Sequence, residues 1–171
     1  MTIILCGMPR AGKSTLGSYL ANILNCPFID TDRLVEEAYF QKSGTRLTCR
    51  DLHLKEGERI FRAYEEAVIE AFACGSKSVI ALGGGAPMSM KNRERIKALG
   101  RVVFLDISFD LLWKRMQVSP IPSYLMNDEP FQALDRMMRE RRPLYLEISG
   151  SVVEPDGQSI EEMAQRILHG E

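Results

Sequence analysis

Short apolar runs alternate with amphipathic stretches along the whole chain. "TIILC" (2–6), "PFID" (27–30), "SVIAL" (78–82), "RVVFLDI" (101–107) and "SVV" (151–153) are the length of strands, and most are bounded by turn residues. Between them, apolar residues at helical spacing predict helices over 14–25, 33–41, 59–73, 91–99, 109–116, 133–145 and 159–168. Ser159 and Glu162 have the spacing of a capping box at the start of the last helix. Strands that are apolar on both faces and alternate with helices predict an α/β fold, a three-layer αβα sandwich around a parallel sheet. Segments 42–57 and 117–131 are polar and broken by Gly or Pro, and both read as loops able to act as flaps. No repeat or linker divides residues 1–171, so one domain is expected.

Composition narrows the function. At 171 residues, 45% apolar and 26% charged, the chain can bury one ordinary core. A net charge of −1 provides no field for a polyanion, so no nucleic-acid partner is expected. Cys6, Cys26, Cys49 and Cys74 form no CxxC pair, and His53 and His169 complete no metal-ligand spacing. Free thiols in a reducing cytoplasm are expected, with no membrane partner, because no apolar run approaches the length of a span.

"GMPRAGKST" (7–15) fits GxxxxGK[ST] directly after a strand and opening a helix. Gly7 and Gly12 allow the tight turn that aims backbone N–H groups at phosphate oxygens. Lys13 supplies charge to the β and γ phosphates, and the Ser14 hydroxyl is a ligand for Mg²⁺. A nucleoside triphosphate with Mg²⁺ is therefore expected.

The strand at 78–82 runs into "GGG" without a carboxylate, whereas the strand at 27–30 leads into "DTD". If that segment is extended, Asp30 and Asp32 share a face, one placed for Mg²⁺ and the other for an acceptor hydroxyl. Alternatively, Asp32 caps a helix beginning at Arg33. "GGGAP" (83–87) exposes backbone for a ligand or makes a turn. Arg62 either serves a ligand or pairs with Glu58 four residues earlier. The four arginines of "RMMRERR" (136–142) are either a solvated face or a source of anion ligands.

In this order, "GMPRAGKST", "DTD", "GERIFRAYEE", "GGGA" and "RRPLY" resemble the shikimate kinase family over nearly the whole chain. The resemblance implies a P-loop kinase fold with strand order 2-3-1-4-5, a substrate-binding region at about 32–62 and a lid at about 116–131. It implies transfer of the γ-phosphoryl of ATP to the 3-hydroxyl of shikimate, on the route to chorismate and the aromatic amino acids. By the same resemblance Arg10, Ala11, Gly12, Lys13, Ser14 and Thr15 bind the ATP phosphates, and Arg115 and Gln158 lie near the base. Ser14 and Asp30 serve Mg²⁺, directly and through water. Asp32 is the base and reads the shikimate hydroxyls, Arg62 and Arg141 grip the carboxylate, and Gly83, Gly84 and Gly85 offer backbone. Lys13 and Asp32 carry the catalysis, and the enzyme is expected to be a cytoplasmic monomer.

The chain departs from the family in two places. The segment between Asp32 and Arg62 is several residues longer than usual, and residues 116–135 contain no Lys or Arg. Pro122 stands where the family's lid arginine would align, so another cation, Arg10, Arg136 or Arg139, is expected to substitute. A gluconate-type kinase and a nucleotide-binding regulator are the alternatives.

Overall fold

In the computed structural model, which describes residues 1–75, 77–118 and 129–170, five strands form one sheet. They are β1 (Ile3–Gly7), β2 (Phe28–Asp30), β3 (Val79–Ala81), β4 (Arg101–Leu105) and β5 (Ser151–Val153). Their order is β2-β3-β1-β4-β5 and every pairing is parallel, as expected. The central strand β1 is buried at all five positions and pairs on both sides, Ile4 lying opposite Ile80 and Val102. Such a strand has no solvated face, which is why it reads as an unbroken apolar run.

Among the described residues, eight α-helices connect and cover the strands: α1 (Lys13–Leu24), α2 (Thr31–Ser43), α3 (Cys49–Glu56), α4 (Glu58–Glu70), α5 (Met90–Leu99), α6 (Phe109–Gln117), α7 (Pro130–Ile148) and α8 (Ile160–His169). The main core gathers β1, β3 and β4 with Leu16, Leu20, Ile96, Leu112, Tyr145 and Ile167 from the surrounding helices. The Ser159–Glu162 capping box is present at the start of α8.

A second, smaller core joins α2, α3 and α4 through Val35, Tyr39, Leu52 and Phe61. The 42–57 segment read as a loop therefore contains a helix. Only Leu52 of α3 is buried, so no periodic stripe marks it, and the helix is secured instead by the Thr48 cap and by packing on its neighbours. In the other segment read as a loop, α6 extends to Gln117 and α7 begins at Pro130. Residues 119–128, including Pro122 and most of the expected lid, lie outside the described residues.

Candidate active site

Strand β1 carries the chain to the carboxyl edge of the sheet, where residues 8–12 turn before α1 begins. Gly12 adopts φ 103 and is the N-cap of α1, with no side chain capping the helix and no acidic residue in its first turn. The uncapped N–H groups and the positive end of the helix dipole make this terminus a site for an anion. Gly12, Lys13, Ser14 and Thr15 line a cleft of about 920 Å³, together with Arg10 and Ala11. That volume suits a nucleotide and a small acceptor together.

Lys13 is buried, and its ammonium donates to the carbonyls of Gly7 (3.0 Å) and Met8 (2.7 Å). Burial lowers its pKa to about 8, against the opposing pull of the Asp32 charge. Arg10 adopts φ 65, a left-handed conformation costing a non-glycine residue about 1 kcal/mol or more. Its Nη1 donates to the carbonyls of Arg115 and Met116, at 3.3 Å each. Arg115 answers with a bond from its own Nη1 to the Arg10 carbonyl at 2.9 Å. The cradle and the last turn of α6 are thus clasped in both directions.

The Ser14 hydroxyl donates to Asp30 Oδ2 at 2.7 Å, while Asp30 Oδ1 accepts from the Asp32 N–H at 3.0 Å. Asp30 is therefore the N-cap of α2, which starts at Thr31, and Asp32 lies in the first turn of that helix. This corrects both expectations for "DTD": the pair is not extended, and the cap falls two residues earlier than Asp32. A hydroxyl and a carboxylate side by side suit Mg²⁺, which prefers oxygen ligands and retains waters and phosphate oxygens. Among the described residues, no group of three or more His, Cys, Asp or Glu could hold a metal ion.

The same cleft is lined by Asp32, Arg62, Glu65, Gly84, Gly85 and Arg141. The Asp32 carboxyl is raised above the usual range by burial, with Lys13 pulling it down. Arg62 pairs with Glu58 through Nε at 3.6 Å, but its shorter bond runs from Nη1 to Glu65 Oε2 at 2.7 Å. Glu65 is only 2% exposed, and burial raises its carboxyl despite the adjacent guanidinium. Sequence reasoning missed Glu65. Its signal was the spacing Phe61, Glu65, Ile69, a carboxylate in the apolar stripe of α4.

The glycine turn after β3 is tied at two points. Gly83 N–H donates to the buried Thr31 hydroxyl at 2.8 Å, and the Tyr145 hydroxyl donates to the Gly84 carbonyl at 2.5 Å. The turn's glycines are required by close approach rather than by φ. A Cβ at Gly83 would overlap the Asp32 carboxylate, and one at Gly85 would reach within 2.7 Å of Arg62 Cζ. Of the arginines on α7, Arg141 lines the cleft, Arg142 forks onto Asp106 at 2.7–3.1 Å, and Arg139 pairs with Asp135 at 3.0 Å. Neither Arg136 nor Arg139 lines the cleft. The structure does not bring Gln158 into it either. That side chain borders a separate shallow pocket, while Ile160 and Met163 of α8 provide apolar surface beside the cradle.

The loop before α1, Asp32 and two arginines thus share one cleft at the carboxyl edge of a β2-β3-β1-β4-β5 sheet. The shikimate kinase family model matches residues 9–170. The chain belongs to the shikimate kinase family. A shikimate kinase of Vibrio vulnificus is 37% identical over 166 residues, covering 97% of this chain and 93% of the relative. One from Rhodococcus jostii is 34% identical over 165 residues, covering 96% and 94%. Among solved structures, the shikimate kinase of Acinetobacter baumannii in complex with shikimate matches with a TM-score of 0.86 at 33% identity, over 98% of this chain and 90% of that one. The strand order and the sequence motifs thus lead to the same family. Among the described residues, no helix is long and apolar enough to cross a membrane.

Proposed function

We propose that the protein transfers the γ-phosphoryl group of ATP to the 3-hydroxyl of shikimate. The observation that carries this reading is the single cleft joining the α1 phosphate cradle to a pocket where Asp32 stands with Arg62 and Arg141. A guanidinium pair suits a carboxylate, and a buried carboxylate with backbone groups suits hydroxyls. The proposal extends to a monomer in a reducing, cytoplasmic setting, in which the four cysteines stay as free thiols.

In this reading the N-terminus of α1 and Lys13 take the phosphates, Lys13 exchanging two loop carbonyls for phosphate oxygens. Ser14 and Asp30 would hold Mg²⁺, which would supply positive charge to neutralise the phosphates. Arg62 and Arg141 fix the carboxylate of shikimate, which orients its hydroxyl along the line of transfer. As the new O–P bond forms and the bond to the ADP oxygen breaks, Asp32 accepts the hydroxyl proton. Ile160 and Met163 give the base an apolar wall, with Arg115 at its edge.

Incubation with ATP, Mg²⁺ and shikimate is expected to give shikimate 3-phosphate, identified as the 3-ester by NMR; absence of any ester would overturn the proposal. Two further results are expected. Because the triphosphate favours charged Lys13, whose pKa in the free protein is about 8, ATP binding should take up protons near pH 8.5 and weaken as pH rises further. Calorimetry in buffers of different ionisation enthalpy measures this, and equal heats in all buffers would contradict it. Gly85→Ala should displace the Arg62 guanidinium, raise the shikimate KM about tenfold and lower the melting temperature, since the atom the new Cβ meets, Arg62 Nη1, is the one paired with buried Glu65. An unchanged KM would remove Arg62 from the carboxylate site.

A further inference from the structure

The connection between β5 and α8, residues 154–159, is tied to a helix far from it in the chain. Asp156 in that connection accepts both donors of Ser108, 48 residues earlier: Oδ2 takes the Ser108 N–H at 3.0 Å and Oδ1 takes the hydroxyl. Ser108 is itself the N-cap of α6, its side chain accepting the Leu111 N–H at 3.3 Å. One carboxylate thus fixes the capping residue of α6 and sets a negative charge at the positive end of that helix. The connection is also anchored on either side of Asp156. The Asp106 N–H donates to the Val153 carbonyl at 3.0 Å before it, and the capping box opens α8 after it.

Both of the elements that Asp156 joins reach the cleft. Arg115 lines it from the last turn of α6, and Ile160 and Met163 line it from the start of α8. Asp156 and Ser108 are exposed and neither lines the cleft, so they act only through the elements they join. Resting on the kinase reading above, in which Arg115, Ile160 and Met163 receive the base of ATP, we infer that Asp156 is a positioning residue for the nucleotide. By clasping Ser108 it holds the start of α8 against α6 and fixes the slot between Ile160 and Arg115. A slot set before the nucleotide arrives leaves less ordering to be done as the base enters. The far end of α6 is held separately, by buried Leu112 and Met116 and by the bonds between Arg10 and Arg115. Loss of Asp156 should therefore spare the loop before α1, and with it the binding of phosphates.

The test compares wild type, D156A and D156N in shikimate-dependent ADP release, in inhibition by tripolyphosphate, which carries phosphates without a base, and in melting temperature. D156A is expected to raise the ATP KM about tenfold, while kcat, the shikimate KM and the tripolyphosphate inhibition constant stay within about threefold of wild type. D156N, whose amide can still accept the Ser108 N–H and donate to its hydroxyl, should bring the ATP KM back to within about threefold. An ATP KM for D156A within about twofold of wild type would overturn the inference alone. Equal weakening of ATP and tripolyphosphate, with a lower melting temperature, would also overturn it, since Asp156 would then serve the fold and not the base. No shikimate-dependent turnover by the wild-type protein would instead overturn the reading beneath it.

Discussion

Replacing Asp32 with Asn is expected to lower kcat by about 10² to 10⁴, equivalent to about 3–5 kcal/mol in the barrier, while ATP binds within threefold of wild type. The substitution keeps the size of the side chain and its place in the first turn of α2, so the Asp30 cap and the Ser14 contact should survive. Only the ability to accept a proton is lost. Burial raises the Asp32 carboxyl above the ordinary aspartate range, so the acid limb of kcat/KM should lie above about pH 4 in wild type. Activity rises with pH as that carboxyl ionises, and Asp32→Asn should abolish this limb. Near-normal turnover, or an unchanged limb in the variant, would exclude Asp32 as the base.

Removing Arg62 is expected to damage both binding and stability, and the two effects can be separated. Arg62→Met should raise the shikimate KM by 10² or more and cost about 3 kcal/mol of stability, because Glu65 would be left buried without its charge partner. Glu65 already has a raised carboxyl, and loss of the guanidinium would raise it further. A carboxyl whose folded-state pKa exceeds its unfolded value favours folding most below the unfolded pKa, near 4, and that advantage is lost as pH rises through the folded pKa. The stability deficit of Arg62→Met should therefore grow as pH rises above about 4. The double variant Arg62→Met with Glu65→Gln should recover most of the stability and none of the shikimate binding. Recovery of both would mean that Arg62 acts only on the fold.

The strands and the phosphate cradle were legible because local patterns determine them. An apolar run buried on both faces reads as a parallel strand, and GxxxxGK[ST] between strand and helix has few other meanings. The strand order and the acceptor residues were legible only through family resemblance, since Arg62 and Arg141 lie on different helices and nothing local joins them. What was missed depended on tertiary packing. Helix α3 buries one residue and forms only against α2 and α4, although Thr48 followed by Asp51 was an available start signal. The role of Asp30 as the cap of α2 depends on tertiary structure too, since Thr31, the first helical residue, turns inward to accept from the Gly83 N–H. Glu65 stood in plain view in the stripe of α4, but its partner three residues away was first paired with Glu58. Among the cations considered for the phosphate end, only the placement of side chains separates Arg10 from Arg136 and Arg139.

The most direct measurement is coupled ADP release by the wild-type protein with ATP and Mg²⁺, comparing shikimate, gluconate and no acceptor. The proposed function predicts a kcat/KM for shikimate at least 10² above that for gluconate, and negligible release without an acceptor. Equal or faster turnover with gluconate, or ATP binding with no turnover on either acid, would contradict it.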